Sequence, residues 1–253
     1  MSVSLVHSFA PLLLAAATGA SALALPIDQV SGKLDTIIVF SPIKTNSAGD
    51  IKPVKFRLDG QSRSVYFAAF SPAAVQQIIA ERISPQNADL AKTLKFAPFS
   101  LAKFDSTVQP NLERNKNSRV LYVPDPEQVS IAEKLLIKQG AKKDDAAKVA
   151  ESVPVIFCPQ PVIKATPNKG PLKGQSFVPC STDYKTVQDM VDKGIATSAV
   201  LKKAKPQVLA IPLSNFTTML AEGDAKDVGE IRVLPSPSTL KALEQLRSAA
   251  PAD

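Results

Sequence analysis

Val153-Pro154-Val155-Ile156-Phe157-Cys158-Pro159 is a short, β-branched apolar run punctuated by prolines, and it has a partner earlier in the chain, Thr36-Ile37-Ile38-Val39-Phe40-Ser41-Pro42. Each reads as a buried strand stopped by Pro. Downstream of each lies a polar, turn-rich stretch, Asn46-Ser47-Ala48-Gly49-Asp50 in one copy and Pro167-Asn168-Lys169-Gly170-Pro171 in the other. Such stretches form the far ends of hairpins. A second strand is expected from Ser64 to Phe70 and from Gln175 to Pro179. The next segments, Val75-Gln76-Gln77-Ile78-Ile79 and Val187-Gln188-Asp189-Met190-Val191, place apolar residues at i, i+3 and i+4, so each predicts a helix with one buried face. Ser71-Pro72 supplies an N-cap and an N1 proline for the first, and Gly194 a C′ glycine for the second.

Two further landmarks recur. Leu94-Lys95-Phe96-Ala97-Pro98-Phe99-Ser100 matches Val208-Leu209-Ala210-Ile211-Pro212-Leu213-Ser214, a Pro-broken strand and then a Ser placed to cap a helix. Arg119 to Pro126 matches Ile231 to Pro237, a strand followed by a capping Asp or Ser and an N1 proline. The helices that follow are expected to bury Val129, Ala132, Leu135 and Leu136 in one copy, and Leu240, Leu243 and Leu246 in the other. Matched positions are separated by 117, 112, 114 and 111 residues in chain order. Constant order, near-constant offset and repeated prolines indicate an internal duplication. The expected fold is α+β: two pseudo-symmetric strand-hairpin/helix/strand/helix repeats, about 25–140 and 153–253, packed into one body with mixed sheets and flanking helices. Residues 141–152, with Lys142-Lys143-Asp144-Asp145, read as a turn and a short solvated helix linking the repeats.

Residues 1–24 read differently from everything after them. They contain no Asp, Glu, Lys or Arg, carry an apolar run around Leu12-Leu13-Leu14, and end in the small-x-small pattern Ala22-Leu23-Ala24. This is the pattern of a cleaved secretory signal, although its n-region lacks a cation. The mature chain is then expected to be 25–253, outside the cytoplasm, in a periplasm or thylakoid lumen. That chain has no His, because the single His of the sequence is His7. His-dependent triads and His-containing zinc sites are therefore excluded. Two Cys in the 253 residues exclude a four-thiolate metal site. No G-x-G-x-x-G or Walker phosphate loop is present among 10 Gly, and no cofactor is expected. The net charge of +7 comes from scattered cations, 23 of the 30 being Lys, with no run longer than two. That pattern fits a solvated surface better than a nucleic-acid site, and at most peripheral membrane contact is expected.

Few residues stand out for chemistry. Cys158 and Cys180 end the first and second strands of the second repeat; they are read either as a disulfide, which the secretory address permits, or as two buried free thiols. Ser41 and Ala68 stand near the equivalent places of the first repeat, so a bridge is not essential to the fold. Ser100-Leu101-Ala102-Lys103 fits the S-x-x-K signature of acyl-enzymes, but S-D-N and K-T-G companions are missing, and a capping Ser with a solvated Lys is the plainer account. Phe96, Phe99, Phe104 and Phe216 are placed either to line a groove or to fill the core.

Several stretches taken in order resemble one family. They are Ala24-Leu25-Pro26 ahead of Ile38-Val39-Phe40, the Ser71-Pro72 helix entry, Leu121-Tyr122-Val123-Pro124, the quoted run ending at Pro159, and Phe177-Val178-Pro179-Cys180-Ser181-Thr182-Asp183 with Val187-Gln188. Together they are similar to the Tic twenty-two-like family of the chloroplast import translocon, in its cyanobacterial branch. The resemblance implies a pseudo-symmetric α/β body with apolar surface pockets, and a non-enzymatic, chaperone-like factor of protein transport linked to outer-membrane biogenesis or protein import. The implied partners are unfolded or precursor proteins and the barrel-assembly proteins of the outer envelope. Under it, Phe99, Phe104, Leu213 and Phe216 are the candidate residues of an apolar client groove, rimmed by Lys. The alternatives are a structural adaptor of a membrane assembly complex that holds no client and, more remotely, an envelope Ser hydrolase using Ser100 and Lys103.

Overall fold

A computed structural model of the chain describes residues 2–5, 25–45, 51–57, 64–170 and 172–249. The turn expected at 46–50 and most of the expected signal segment, residues 1 and 6–24, lie outside the described residues.

The chain begins with strand β1 (Ser2–Leu5) and helix α1 (Ile27–Leu34), and its first sheet takes strands β2 (Ile38–Thr45), β3 (Ile51–Pro53), β4 (Lys55–Arg57) and β5 (Ser64–Ala69). Helix α2 (Pro72–Ile78) continues as a π-helical turn, Ile79–Ile83, and is followed by α3 (Ala88–Thr93), β6 (Phe96–Ser100), α4 (Leu101–Arg114), β7 (Ser118–Val123) and α5 (Pro126–Lys138). Helix α6 (Lys143–Ser152) leads to β8 (Val155–Gln160), β9 (Ile163–Thr166), β10 (Val178–Ser181), α7 (Tyr184–Thr197) and α8 (Ala199–Ala204). The chain then forms β11 (Gln207–Pro212), α9 (Leu213–Glu222), α10 (Ala225–Val228), β12 (Ile231–Leu234) and α11 (Pro237–Ala249).

Two mixed sheets result, and their central strands repeat. In the first, β2 is antiparallel to β6 and to β5, and β5 is parallel to β7. In the second, β8 is antiparallel to β11 and to β10, and β10 is parallel to β12. The registers repeat as well: Phe40 faces Pro98 and Ala69, while Phe157 faces Ala210 and Ser181. The structure thus sets the third landmark at an offset of 112, not the 114 read from the prolines. Leu101 and Phe104 of α4 correspond to Leu213 and Phe216 of α9, and Phe99 corresponds to Ile211 rather than to Leu213.

Several local expectations change for stated physical reasons. Strands β2 and β8 run through Pro42 and Pro159 rather than stopping there. A proline lacks only the N–H, so its carbonyl still pairs: Val54 N–H donates to Pro42 O at 2.9 Å. Ser100 caps α4, accepting from Lys103 N–H at 3.2 Å, but α9 starts at Leu213, one residue before Ser214, with Pro212 as an N-cap that offers no side-chain bond. Gly194 lies buried inside α7, which continues to Thr197. Helix α6 is not simply solvated, since Ala146 and Ala150 are buried against α5 and the second sheet.

The central strands β5, β8 and β10 are buried on both faces, which explains runs of apolar residues without polar alternation. Alternate residues of both sheets, Val39, Tyr66 and Ala68 with Ile156, Cys158, Val178 and Cys180, meet α4 and α9 in one central core shared by the two halves. The opposite face of the first sheet (Phe40, Val65, Phe67, Ala69) is covered by α2. That of the second sheet (Val155, Phe157, Val208, Ala210) is covered by α5, α6, α7 and α8. The terminal helix of each half is therefore exchanged. Ala132 and Leu136 of α5 pack on the second sheet, and Ala242 of α11 packs on the outer core of the first. Leu240 and Leu246, expected to be buried, are 47% and 44% exposed; Thr239, 2% exposed, and Ala242 are what α11 turns inward.

Candidate functional site

Helix α7 is held as the roof of the second sheet by its N-terminus. Asp183 caps it, accepting from Thr186 N–H at 2.7 Å. Gln128 of α5 ties it to the first half, donating to Asp183 Oδ1 at 3.1 Å and accepting the Tyr184 N–H at 3.0 Å. Below the roof lies a cavity of about 190 Å³, lined by Pro159, Ile163, Ala165, Pro179, Val187, Met190, Val191, Lys193 and Thr197. Val187, Met190 and Val191 recur at i, i+3 and i+4, the helix's inward stripe.

The cavity exists because two aromatic positions of the first half are small in the second. The shared registers place Pro179 where Phe67 stands and Ala165 where Phe56 stands. In the first half those two rings lie 5.9 Å apart and Phe67 is fully buried, so the space is filled. Among the lining side chains only Lys193 and Thr197 are polar. The set offers an apolar slot with one cation, Lys193, and one hydroxyl, that of Thr197, which donates to the Lys193 carbonyl at 2.9 Å.

The residues singled out from sequence fall elsewhere. Phe104 and Phe216 are 0% exposed and Leu213 7%, all in the central core; Phe99 is half-buried, its ring edge-on to Phe104 at 6.4 Å. They form no surface groove. Truncating a fully buried Phe to Ala costs roughly 3–5 kcal/mol. Residues that recur in both halves are what a duplicated core requires, whereas the cavity comes from residues that fail to recur. That failure was readable by aligning Phe56 with Ala165 and Phe67 with Pro179.

Cys158 and Cys180 are joined as a disulfide, with Cα atoms 4.4 Å apart, across β8 and β10. Ser100 donates to Asp35 Oδ1 at 2.7 Å while capping α4, and Lys103 is exposed. The hydroxyl is thus engaged by a helix terminus and a carboxylate. Among the described residues, no group of three His, Cys, Asp or Glu is arranged to hold a metal ion. No described helix is long and apolar enough to cross a membrane.

Electrostatically strained groups lie away from the cavity. Burial pushes the Asp105 carboxyl above its ordinary value, against the pull of a 2.8 Å hydrogen bond from the Tyr122 hydroxyl. The same burial, with the Asp105 charge, drives the Tyr122 phenol strongly upward. Asp125, the buried N-cap of α5, is also raised by burial, its bond from the Glu127 N–H opposing. Lys33 of α1 donates to Gly229 O; burial and then Arg232 lower its ammonium, and Glu230 opposes them.

No family model and no curated protein matches the sequence. Solved structures do. Tic22 of Anabaena, a protein-transport protein, superposes with a TM-score of 0.64 at 16% identity, covering 90% of this chain and 100% of that one. Tic22 of Plasmodium falciparum superposes with a TM-score of 0.61 at 14% identity, covering 87% of this chain and 98% of that one. Likeness over whole chains at such identities is a statement about architecture: by fold, this α+β chain is Tic22-like.

Proposed function

We propose that the chain is a non-enzymatic protein-transport factor that holds unfolded precursor segments beyond the inner membrane, in a periplasm or thylakoid lumen, in support of outer-membrane biogenesis or protein import. The observation that carries this reading is the whole-chain likeness to Anabaena Tic22, a protein-transport protein. The cavity supports it: an apolar slot under α7, rimmed by Lys193, takes an apolar side chain of an extended client. The excess of scattered Lys speeds encounter with acidic clients or acidic partner domains, such as those of barrel-assembly proteins. The secretory pattern of residues 1–24 supplies the address.

The test is dilution of a urea-denatured outer-membrane protein into buffer with and without the chain. Light scattering should fall at one chain per client, and less so with Pro179→Phe, which refills the slot. Unchanged scattering at several-fold excess overturns the reading.

A further inference from the structure

The wall of the cavity formed by β9 is also an edge at which backbone pairing is available. Ala165 exchanges both main-chain bonds with Phe177, N–H to O at 2.8 Å and O to N–H at 3.1 Å. Alternation along a strand then turns the main-chain groups of Lys164 and Thr166 to the other side. On that side lies β1, antiparallel, with Ser4 opposite Lys164 and Ser2 opposite Thr166. The register partners of the two cavity residues Ile163 and Ala165 are Leu5 and Val3. A four-residue segment some 160 residues earlier in the chain thus sits beside the apolar slot as an added strand, and its sequence, Ser-Val-Ser-Leu, is uncharged and alternates hydroxyl with apolar residues.

The equivalent edge of the first half is built differently. There the strand is β4, Lys55-Phe56-Arg57, with Lys55 and Arg57 exposed at the places of Lys164 and Thr166. Exposed charges flanking an edge strand oppose pairing with another chain. In the second half, Lys164 Nζ is tied to Glu230 Oε2 at 2.5 Å, and Thr166 is uncharged and hydrogen-bonded to Ser176 at 2.7 Å. One edge is guarded by two cations; the other has none free.

We propose that the outer edge of β9 is a strand-accepting site, which binds an uncharged, extended client segment of alternating small polar and apolar residues in antiparallel register, with one apolar side chain in the adjoining slot, and that residues 2–5 occupy this edge in cis until they are removed. It rests on the client-holding reading above and gives that reading a recognition mode. Affinity comes from main-chain bonds, which any sequence offers, and selection from the slot and from the pairing of Lys164 with Glu230, which leaves that edge charge neutralised. The cis strand acts as a tethered competitor, present at high effective concentration.

The experiment uses the full chain, produced in the cytoplasm so that residues 1–24 stay attached. Hydrogen exchange should show slow amides at Lys164 and Thr166, and fast ones once Ser2→Pro and Ser4→Pro remove the donors that β1 offers. A fluorescein-labelled peptide Met-Ser-Val-Ser-Leu-Val should bind that released chain about tenfold or more tightly than the unaltered one, as expected for loss of a tethered competitor. Ala165→Phe or Pro179→Phe, added to the released chain, should abolish the gain; two variants are used because either alone can disturb packing. Equal binding by released and unaltered chains, fast Lys164 and Thr166 amides in the unaltered chain, or a released chain that dimerises in sedimentation instead of binding peptide would each overturn the proposal. Aggregation suppression without peptide binding sinks this edge and leaves client holding standing; peptide binding without suppression does the reverse.

Discussion

The two halves share strand order, sense and register, yet they solve three local problems differently. At the junction of the first two strands, which rests on a single register pair in each half, the second half has the Cys158–Cys180 disulfide and the first has Ser41 and Ala68. At the open side of the third strand, Ala210 gives its N–H to Gln139 Oε1 at 2.8 Å and its carbonyl accepts from Gln139 Nε2 at 2.9 Å. The first half has Pro98 there, with no N–H to satisfy. Beneath the main helix, Phe56 and Phe67 fill one half where Ala165 and Pro179 leave the other open. The difference teaches that topology is set by features the halves share, while the cavity is set where they diverge. The half that keeps an opening is also the one that is covalently stapled.

The largest expected effect of erasing these differences is at the staple. Cys158→Ser with Cys180→Ala gives the second half the first half's residues and should cost about 3 kcal/mol, the loop-entropy value for a closed loop of this size. Urea unfolding of the oxidised chain and this variant measures it. A midpoint unchanged between them would mean that the bridge adds nothing to the shared register. Gln139→Ala comes next: it strips both partners from the buried Ala210 backbone, at roughly 1–2 kcal/mol. Exchange of the Ala210 amide should speed up in step, and a protected amide in the variant would show that another group covers this edge.

The smallest effect concerns a polar pair found in the first half alone. Tyr122 and Asp105 correspond to Val233 and Thr217 of the second half. Burial sets the folded carboxyl of Asp105 above its ordinary value. The folded state therefore holds that proton more tightly than the unfolded chain, and stability is lost as pH rises through the unfolded and then the folded value. Asp105→Asn keeps an oxygen for the Tyr122 hydroxyl and removes the charge. Its stability relative to the original chain should be unchanged below about pH 4 and should grow as pH rises beyond the ordinary carboxylate range. A constant difference across that range would show that the carboxyl is not strained.

Much of the fold was legible because burial on both faces leaves a plain mark. Runs such as Ile37 to Phe40 and Val155 to Phe157 read as buried strands, the caps Asp125 and Ser236 precede N1 prolines at matching places, and Ser71 precedes one in the first half. Register was less legible: a proline marks where a strand has lost a donor, and Pro98 and Pro212 lost theirs at positions two residues apart in the repeat. The exchange of α5 and α11 left no sequence mark, since an apolar stripe does not say which sheet it will cover. The candidate site was misplaced for a related reason. Recurring aromatics such as Phe104 and Phe216 drew attention, while the opening is defined by small residues, Ala165 and Pro179, whose significance appears only against Phe56 and Phe67.

The exchanged helices also order events in time. The outer layer of the first sheet takes Ala242 from α11, the last described helix. A ribosome delivers that helix after all the strands of both sheets, so the first sheet, made earliest, receives this cover late. A chain read out in this order keeps one flank of its first sheet uncovered by α11 until the second sheet is already made.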